Sequence, residues 1–165
     1  MDNGLLGALI VLLLAAGVTL LVRKYLFFVT QVSSHSMLPT FQPHDRLLTW
    51  RVHHPENLHR GDIIIFYSHE LGMMMVKRLV GLPGDTIQIE TNGDLLVNGN
   101  KQAEPYIKYR GGKGGSYLVP EGEYFFLGDN RTGSSDSRHW EKATIPAQDV
   151  QGKVTHSLYP FGKVK

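Results

Sequence analysis

The sequence predicts a mostly β protein: a single N-terminal transmembrane helix followed by a β-rich domain built on antiparallel sheet. Three observations carry that prediction. No residue from Gly4 to Val22 is charged, and the run consists mainly of Leu, Ala, Val and Ile. Beyond residue 29 the apolar residues come in short β-prone segments separated by turn residues. The 165 residues include 18 Gly and 8 Pro, which implies many turns and disfavours a helical bundle.

At ~1.5 Å per residue, a helix from Gly4 to Val22 spans about 28 Å, enough to cross the hydrocarbon of a bilayer. Arg23 and Lys24 end the run where headgroups would begin, and Tyr25, Phe27 and Phe28 suit an interfacial belt. The alternatives are a cleavable signal peptide and a buried globular helix. Met1-Asp2-Asn3 supplies no basic segment, the run exceeds the usual ~7 to 15 residues of a signal-peptide core, and nothing on it is polar enough to face water. The expected organisation is therefore a tail, anchor and interfacial stretch over residues 1–28 and a β-rich domain over residues 29–165.

Candidate strands are Val29–Val32, Asp45–Val52, Asp62–Tyr67, Met73–Leu82, Thr86–Glu90, Leu95–Asn98, Tyr117–Val119, Tyr124–Leu127 and Gly152–Leu158. Between Ile87–Glu90 and Leu95–Val97 the Asn92-Gly93 pair offers the positive φ angles of a tight hairpin. Gly111-Gly112-Lys113-Gly114-Gly115 lacks the ending and context of a phosphate-binding loop and reads as a flexible surface loop.

Lys and Arg total 17 against 15 Asp and Glu, and the basic residues are scattered, which gives nucleic-acid binding no support. Cysteine is absent, so disulfides, thiolate metal sites and a cysteine nucleophile are excluded. Chemistry must come from Ser, Lys, His or carboxylates. No metal or cofactor is expected.

Four segments could supply it. Ser33-Ser34-His35-Ser36-Met37-Leu38-Pro39-Thr40 taken alone reads as a polar turn, although it also offers a hydroxyl nucleophile, which needs a base from elsewhere. In Met73–Asp85, strand alternation places Lys77 between apolar neighbours. With an ordinary pKa of ~10.4 a Lys is about 0.04% neutral at pH 7, so it becomes a base only when desolvation destabilises the ammonium; otherwise it snorkels to water. Arg78 beside it reads as half of a structural ion pair. In Gly128–Arg138, Asp129-Asn130 forms a tight turn, Asp136 and Arg138 can brace it, and Ser134, Ser135 and Ser137 can hydrogen-bond a neutral amine. Arg60–Phe66 is a turn feeding a buried strand, lining the core or a groove.

In order and spacing, SMLPT at 36–40, RGDIIIF at 60–66, KRLVGLPGD at 77–85 and GDNRTGSSDSR at 128–138 resemble the boxes of bacterial type I signal peptidases. VNGNKQAEPY at 97–106 is similar to that family's hairpin and its exit, and the single anchor and short chain resemble its Gram-positive members. The resemblance implies the β-rich catalytic fold of that family. It also implies that Ser36 is the nucleophile, Lys77 the general base and Ser134 the hydroxyl that orients the amine. Ser34 corresponds to an assisting hydroxyl, the Ser36 N–H to an oxyanion donor, and Asp129, Asp136 and Arg138 to structural support. Three positions depart from the pattern: His35, Ser34 and Met75. None removes a catalytic group, and His35 is read as a bystander or a groove residue.

The implied activity is endoproteolytic removal of signal peptides from secretory preproteins, after small residues of the Ala-x-Ala kind, at the cell membrane. Another Ser-Lys protease, or an inactive anchored domain that binds exported chains, is the alternative. A count of positive charges around the helix points the domain into the cytoplasm, whereas the resemblance implies the extracytoplasmic side. The latter is expected, because long domains translocate largely regardless of charge. Met37, Leu38 and Phe41 are assigned either to lipid contact or to the core.

Overall fold

The computed structural model describes residues 3–159 and 161–163. The apolar run forms α1, Asn3–Tyr25, with its described side chains almost all exposed and its only basic residues, Arg23 and Lys24, in the last turn. A helix that is apolar all round and exposed along its apolar run has the character of a membrane span.

Leu26 alone separates α1 from β1 (Phe27–Gln31), which pairs antiparallel with β2 (Arg46–Arg51). The chain continues through β3 (Ile63–Ser68), β4 (Met73–Gly81), β5 (Thr86–Ile89), β6 (Leu95–Val97), β7 (Asn100–Lys101) and β8 (Gly115–Leu118). It ends with β9 (Glu123–Leu127), β10 (Ile145–Pro146), β11 (Val150–Tyr159) and β12 (Phe161–Lys163). The larger sheet has the order β1-β2-β11-β3-β4-β9-β10, with β12 also on β11, and the smaller the order β7-β6-β5-β8. Every strand pairing in them is antiparallel.

Three apolar clusters hold these layers. Val80, Phe125 and Leu127 from the larger sheet meet Ile87, Ile89, Leu95 and Val97 from the smaller. Ile64, Phe66, Leu79, Phe126 and Trp140 form a second cluster, with the Phe66 and Phe126 rings stacked at 4.3 Å. The third joins Val32, Met37 and Phe41 to Leu47, Ile63, Ile65 and Val154. Met37 and Phe41 are therefore core residues, with 0% and 3% exposure, and they pull the loop after β1 onto β3. The alternative of lipid contact is set aside for both; Leu38 is half-buried.

Each expected strand is present, with ends shifted by a few residues. The first begins at Phe27 instead of Val29, because Phe27 and Phe28 register against Trp50 and Thr49 and the Phe27 ring lies 5.6 Å from Trp50. β7, β10 and β12 were not expected: each is two or three residues long, too short for an alternation to be read.

Two turn readings need correction. In the β5–β6 hairpin only Gly93 has positive φ (86°), and Asn92 does not. The Gly93 N–H donates to Glu90 O and the Glu90 N–H to Asp94 O, a three-residue loop closed by a glycine in the left-handed region. The glycine-rich segment at 111–115 is at the surface but anchored. Gly111 O accepts from Arg138, and a Cβ at Gly112 would lie 2.5 Å from Arg138 Nη1 and 2.6 Å from Arg131 O. Close approach to two arginines, together with positive φ at Gly111 and Gly112, requires glycine there.

Candidate active site

Ser36 and Lys77 are 41 residues apart and meet: Nζ lies 2.7 Å from Ser36 Oγ, with the two residues 2% and 5% exposed, Lys77 and Ser36 respectively. Lys77 Nζ also donates to Val76 O at 3.2 Å. The amine comes from the buried half of β4 and the hydroxyl from the loop that Met37 and Phe41 pin to the core. Ser34 Oγ stands 3.1 Å from Ser36 Oγ on the exposed side.

Burial pushes the Lys77 ammonium down to about 8, against the Asp136 and Asp129 carboxylates, which favour the charged form. The fall from 10.5 to about 8 costs the fold about 3 kcal/mol at neutral pH. Neither carboxylate neutralises it by contact, because each is bonded to an arginine. Asp136 binds Arg138 through Nε at 2.8 Å and Nη2 at 2.9 Å. Its burial alone would raise its carboxyl pKa; Arg138 and the Gly128 N–H outweigh that and hold it below the usual range.

Asp129, 0% exposed, takes Arg78 Nε at 2.8 Å and Nη2 at 2.6 Å, and also accepts from Thr40 Oγ1. One carboxylate thus ties the residue after Lys77 to the segment after Ser36. The next residue completes the clamp: the Asn130 N–H donates to Ser36 O at 3.0 Å, and Asn130 Nδ2 to His35 O at 3.1 Å. Behind it, Tyr106 covers the Arg78 guanidinium at 3.8 Å, and Arg131 pairs with Glu104.

Gly128 makes this approach possible. A Cβ there would overlap Ser134 Oγ and come within 2.5 Å of Ser36 O. Gly128→Ala is therefore expected to push the Ser36 loop away from Lys77. A misplacement of ~1 Å at a reacting group costs on the order of 100-fold, so kcat/KM should fall by about that factor. Steady-state kinetics on the purified variant, beside its melting curve, checks this.

Of the other expected residues, Ser134 is buried against Gly128; its hydroxyl faces the Asp136 carboxylate closely enough to help lower it but without the geometry of a full hydrogen bond, and the Lys77 amine is held by Ser36 and Val76 instead. His35 is exposed, and only its backbone carbonyl takes part in the clamp. The segment at 60–66 supplies Ile63 to Phe66 to the core, and Arg60 pairs with Asp85 at 2.9 Å. Arg78 forms the structural ion pair expected of it; that its partner is Asp129, and the positioning roles of Asn130 and Gly128, went unread in the sequence. The signal was present in the Gly-Asp-Asn run, but only the fold shows which loop it holds.

Ser36 and Lys77 open onto a cleft of about 420 Å³ whose lining includes Val32, Ile65, Leu71, Met74 and Val76, with Ser34 and Ser135 at its polar side. Met75, one of the departures from the expected pattern, lines it too. Among the described residues no group of three or more His, Asp or Glu side chains is arranged to hold a metal ion.

Residues 5–159 match the family described as signal peptidase, peptidase S26. Signal peptidase I P of Bacillus subtilis subsp. natto is 36% identical over 93% of this chain and 88% of its own length. Signal peptidase I U of Bacillus subtilis strain 168 is 38% identical over 81% and 76% respectively. A crystal structure of a signal peptidase I from Enterococcus faecalis superposes with a TM-score of 0.53 and 33% identity, over 60% of this chain and 97% of that one. With most of its length matched by the family and by relatives above 30% identity, this chain is a member of the signal peptidase family, peptidase S26.

Proposed function

We propose that the chain is a membrane-anchored type I signal peptidase that removes signal peptides from secretory preproteins with Ser36 as nucleophile and Lys77 as general base. The observation that carries this reading is a desolvated amine 2.7 Å from a buried hydroxyl. Neutral Lys77 takes the Ser36 proton as Oγ attacks the scissile carbonyl, and the Ser36 N–H, with the nearby Ser34 hydroxyl, stabilises the oxyanion. Lys77 then protonates the leaving amine, which departs with the mature chain. A water deprotonated by the same amine cleaves the acyl-enzyme and frees the signal peptide. Ser134 is assigned to orienting the amine on the resemblance. Asp129, Asp136 and Arg138 are structural supports. The apolar cleft suits a short extended segment with small apolar side chains, the Ala-x-Ala pattern.

Because the neutral amine is the active form, kcat/KM on a signal-peptide substrate should rise about tenfold per pH unit below pH 8 and level off above it. A flat profile between pH 6 and 9 would remove Lys77 as the base. The reading as a whole is tested by incubating detergent-purified protein with a preprotein carrying an Ala-x-Ala site. Cleavage by the wild type and none by Ser36→Ala is expected; equal cleavage by both would point to a contaminating protease, and cleavage by neither to a binding module.

The domain from residue 29 onward is assigned to the extracytoplasmic side, with α1 as a single-pass anchor. Substrates become accessible to the site only after export, and a long domain crosses largely regardless of flanking charge. Protease added to intact protoplasts should degrade the domain, and its survival would place it in the cytoplasm.

A further inference from the structure

The last carbonyls of a helix have no intrahelical donors, and at a membrane surface water or headgroups ordinarily satisfy them. In α1 the β-domain does so. Leu26 N–H extends the helical pattern to Val22 O. Arg51 then donates to Arg23 O through Nε and Nη2, each at 3.4 Å, and His53 Nε2 lies 2.8 Å from Tyr25 O. The Arg51 backbone N–H closes on Leu26 O at 2.8 Å.

Arg51 is itself held in place. Its guanidinium lies 4.2 Å over the Phe28 ring, and Nη1 reaches Gln151 Oε1 at 3.4 Å. A cation at a helix C-terminus is favoured by the helix dipole as well. With Leu26 the only residue between α1 and β1, and with β1 in register against β2 from Phe27 to Gln31, the anchor has no free linker.

We infer that Arg51 and His53 dock the anchor rigidly on the β-domain, and that this docking fixes the height of the Ser36 hydroxyl above the bilayer and so selects which peptide bond of a membrane-held substrate is cut. The inference rests on the peptidase reading. A substrate whose apolar segment lies in the same bilayer presents its chain at a set distance from the surface, so a fixed nucleophile meets one bond. A domain free to tilt about Leu26 would meet several. Each extended residue advances the chain by about 3.3 Å, so a tilt that moves Ser36 by ~7 Å reaches two residues further along the substrate. Arg51 and His53 are positioning residues and touch no reacting atom.

The test uses full-length protein in lipid vesicles and two readouts. Since the chain has no cysteine, spin labels on cysteines introduced at Val18 and Glu56 report anchor and domain directly. The distance distribution should be narrow, and it should broaden in Arg51→Ala/His53→Ala. The second readout is the cleavage position in a vesicle-inserted preprotein with Ala at every site position over six residues. The unaltered enzyme should cut one bond; the double variant should spread its cuts over about two residues on either side, while kcat/KM on a water-soluble signal peptide stays within about twofold. Should the double variant lose soluble-peptide cleavage, a Gly-Ser-Gly insertion between Tyr25 and Leu26 replaces it, with the same spread expected. An unchanged distance distribution, or a single cut position in the loosened enzyme, would overturn the inference while leaving the peptidase reading intact. Failure of the unaltered enzyme to cleave the soluble peptide would remove both.

Discussion

Lys77→Met is expected to abolish cleavage and, at the same time, to make the protein harder to unfold. The two effects have one cause. The ammonium of Lys77 is pushed from 10.5 to about 8 by burial, so at pH 7 the folded state holds a charge it is poorly built to solvate. The sign follows from proton counts. Between pH 8 and 10.5 the unfolded chain binds the proton that the folded chain has released, so stability rises with pH across that window. Below pH 8 both states are protonated and the full penalty of about 3 kcal/mol stands. Met has a similar length and no charge, so the variant should gain about 1 to 3 kcal/mol at pH 7, less whatever the lost Lys77–Ser36 hydrogen bond takes back. Its activity should fall by about 10,000-fold or more, the scale seen when one member of a nucleophile–base unit is removed. Urea unfolding at pH 7 and pH 10 checks the first part: the variant should lead at pH 7 and lose that lead as the pH rises.

Asp129→Asn should have the opposite effect on stability. The Asp129 carboxylate takes two bonds from Arg78 and one from Thr40 in a site where Asp129 is 0% and Arg78 2% exposed. The amide keeps one acceptor and turns two donors toward a guanidinium. Removing one partner of a buried pair leaves an uncompensated charge and costs about 3 to 5 kcal/mol. The same bond network ties the Ser36 loop to β4, so kcat/KM should drop at least about 100-fold. There is an electrostatic signature as well. Asp129 favours the charged form of Lys77, so its loss, beside an Arg78 now unpaired, should move the rising limb of the pH–rate profile below pH 8. A loss of stability with the limb unmoved would reduce Asp129 to a strut with no influence on the base.

The fold was legible wherever the chain has a period. The uncharged run gave α1, and alternation or a short apolar burst gave every strand of four residues or more. The three-residue β6 was legible from the hairpin turn before it, whereas β7, β10 and β12 have no period to read, and their pairing depends on what the rest of the chain brings alongside. Turn chemistry was legible as a location and not as a type: Asn92-Gly93 marks the hairpin, but Gly93 alone takes positive φ, because a three-residue loop needs only one such residue.

The site divides in the same way. Ser36 and Lys77 could each be named as chemically capable, yet nothing in their spacing says that β4 and the loop after β1 converge; the order and spacing of four boxes carried that expectation by resemblance. The meaning of Gly128-Asp129-Asn130 was hidden for a different reason. Its partners are Ser36 O, Thr40 and Arg78, two of them reached across about 90 residues of chain, and a turn motif does not announce what it will hold. Ser134 marks the reverse case, a role suggested by resemblance for a hydroxyl that in this structure faces Asp136 and makes no hydrogen bond to the Lys77 amine.

The neutral base is tested most directly by watching Lys77 titrate. Carbon-13 at the ε position of lysine, recorded for the full chain in detergent micelles and assigned by the signal missing from Lys77→Met, should show one lysine with a midpoint near pH 8. A Lys77 signal that holds its charge until about pH 10.5, like the exposed lysines, would contradict the account.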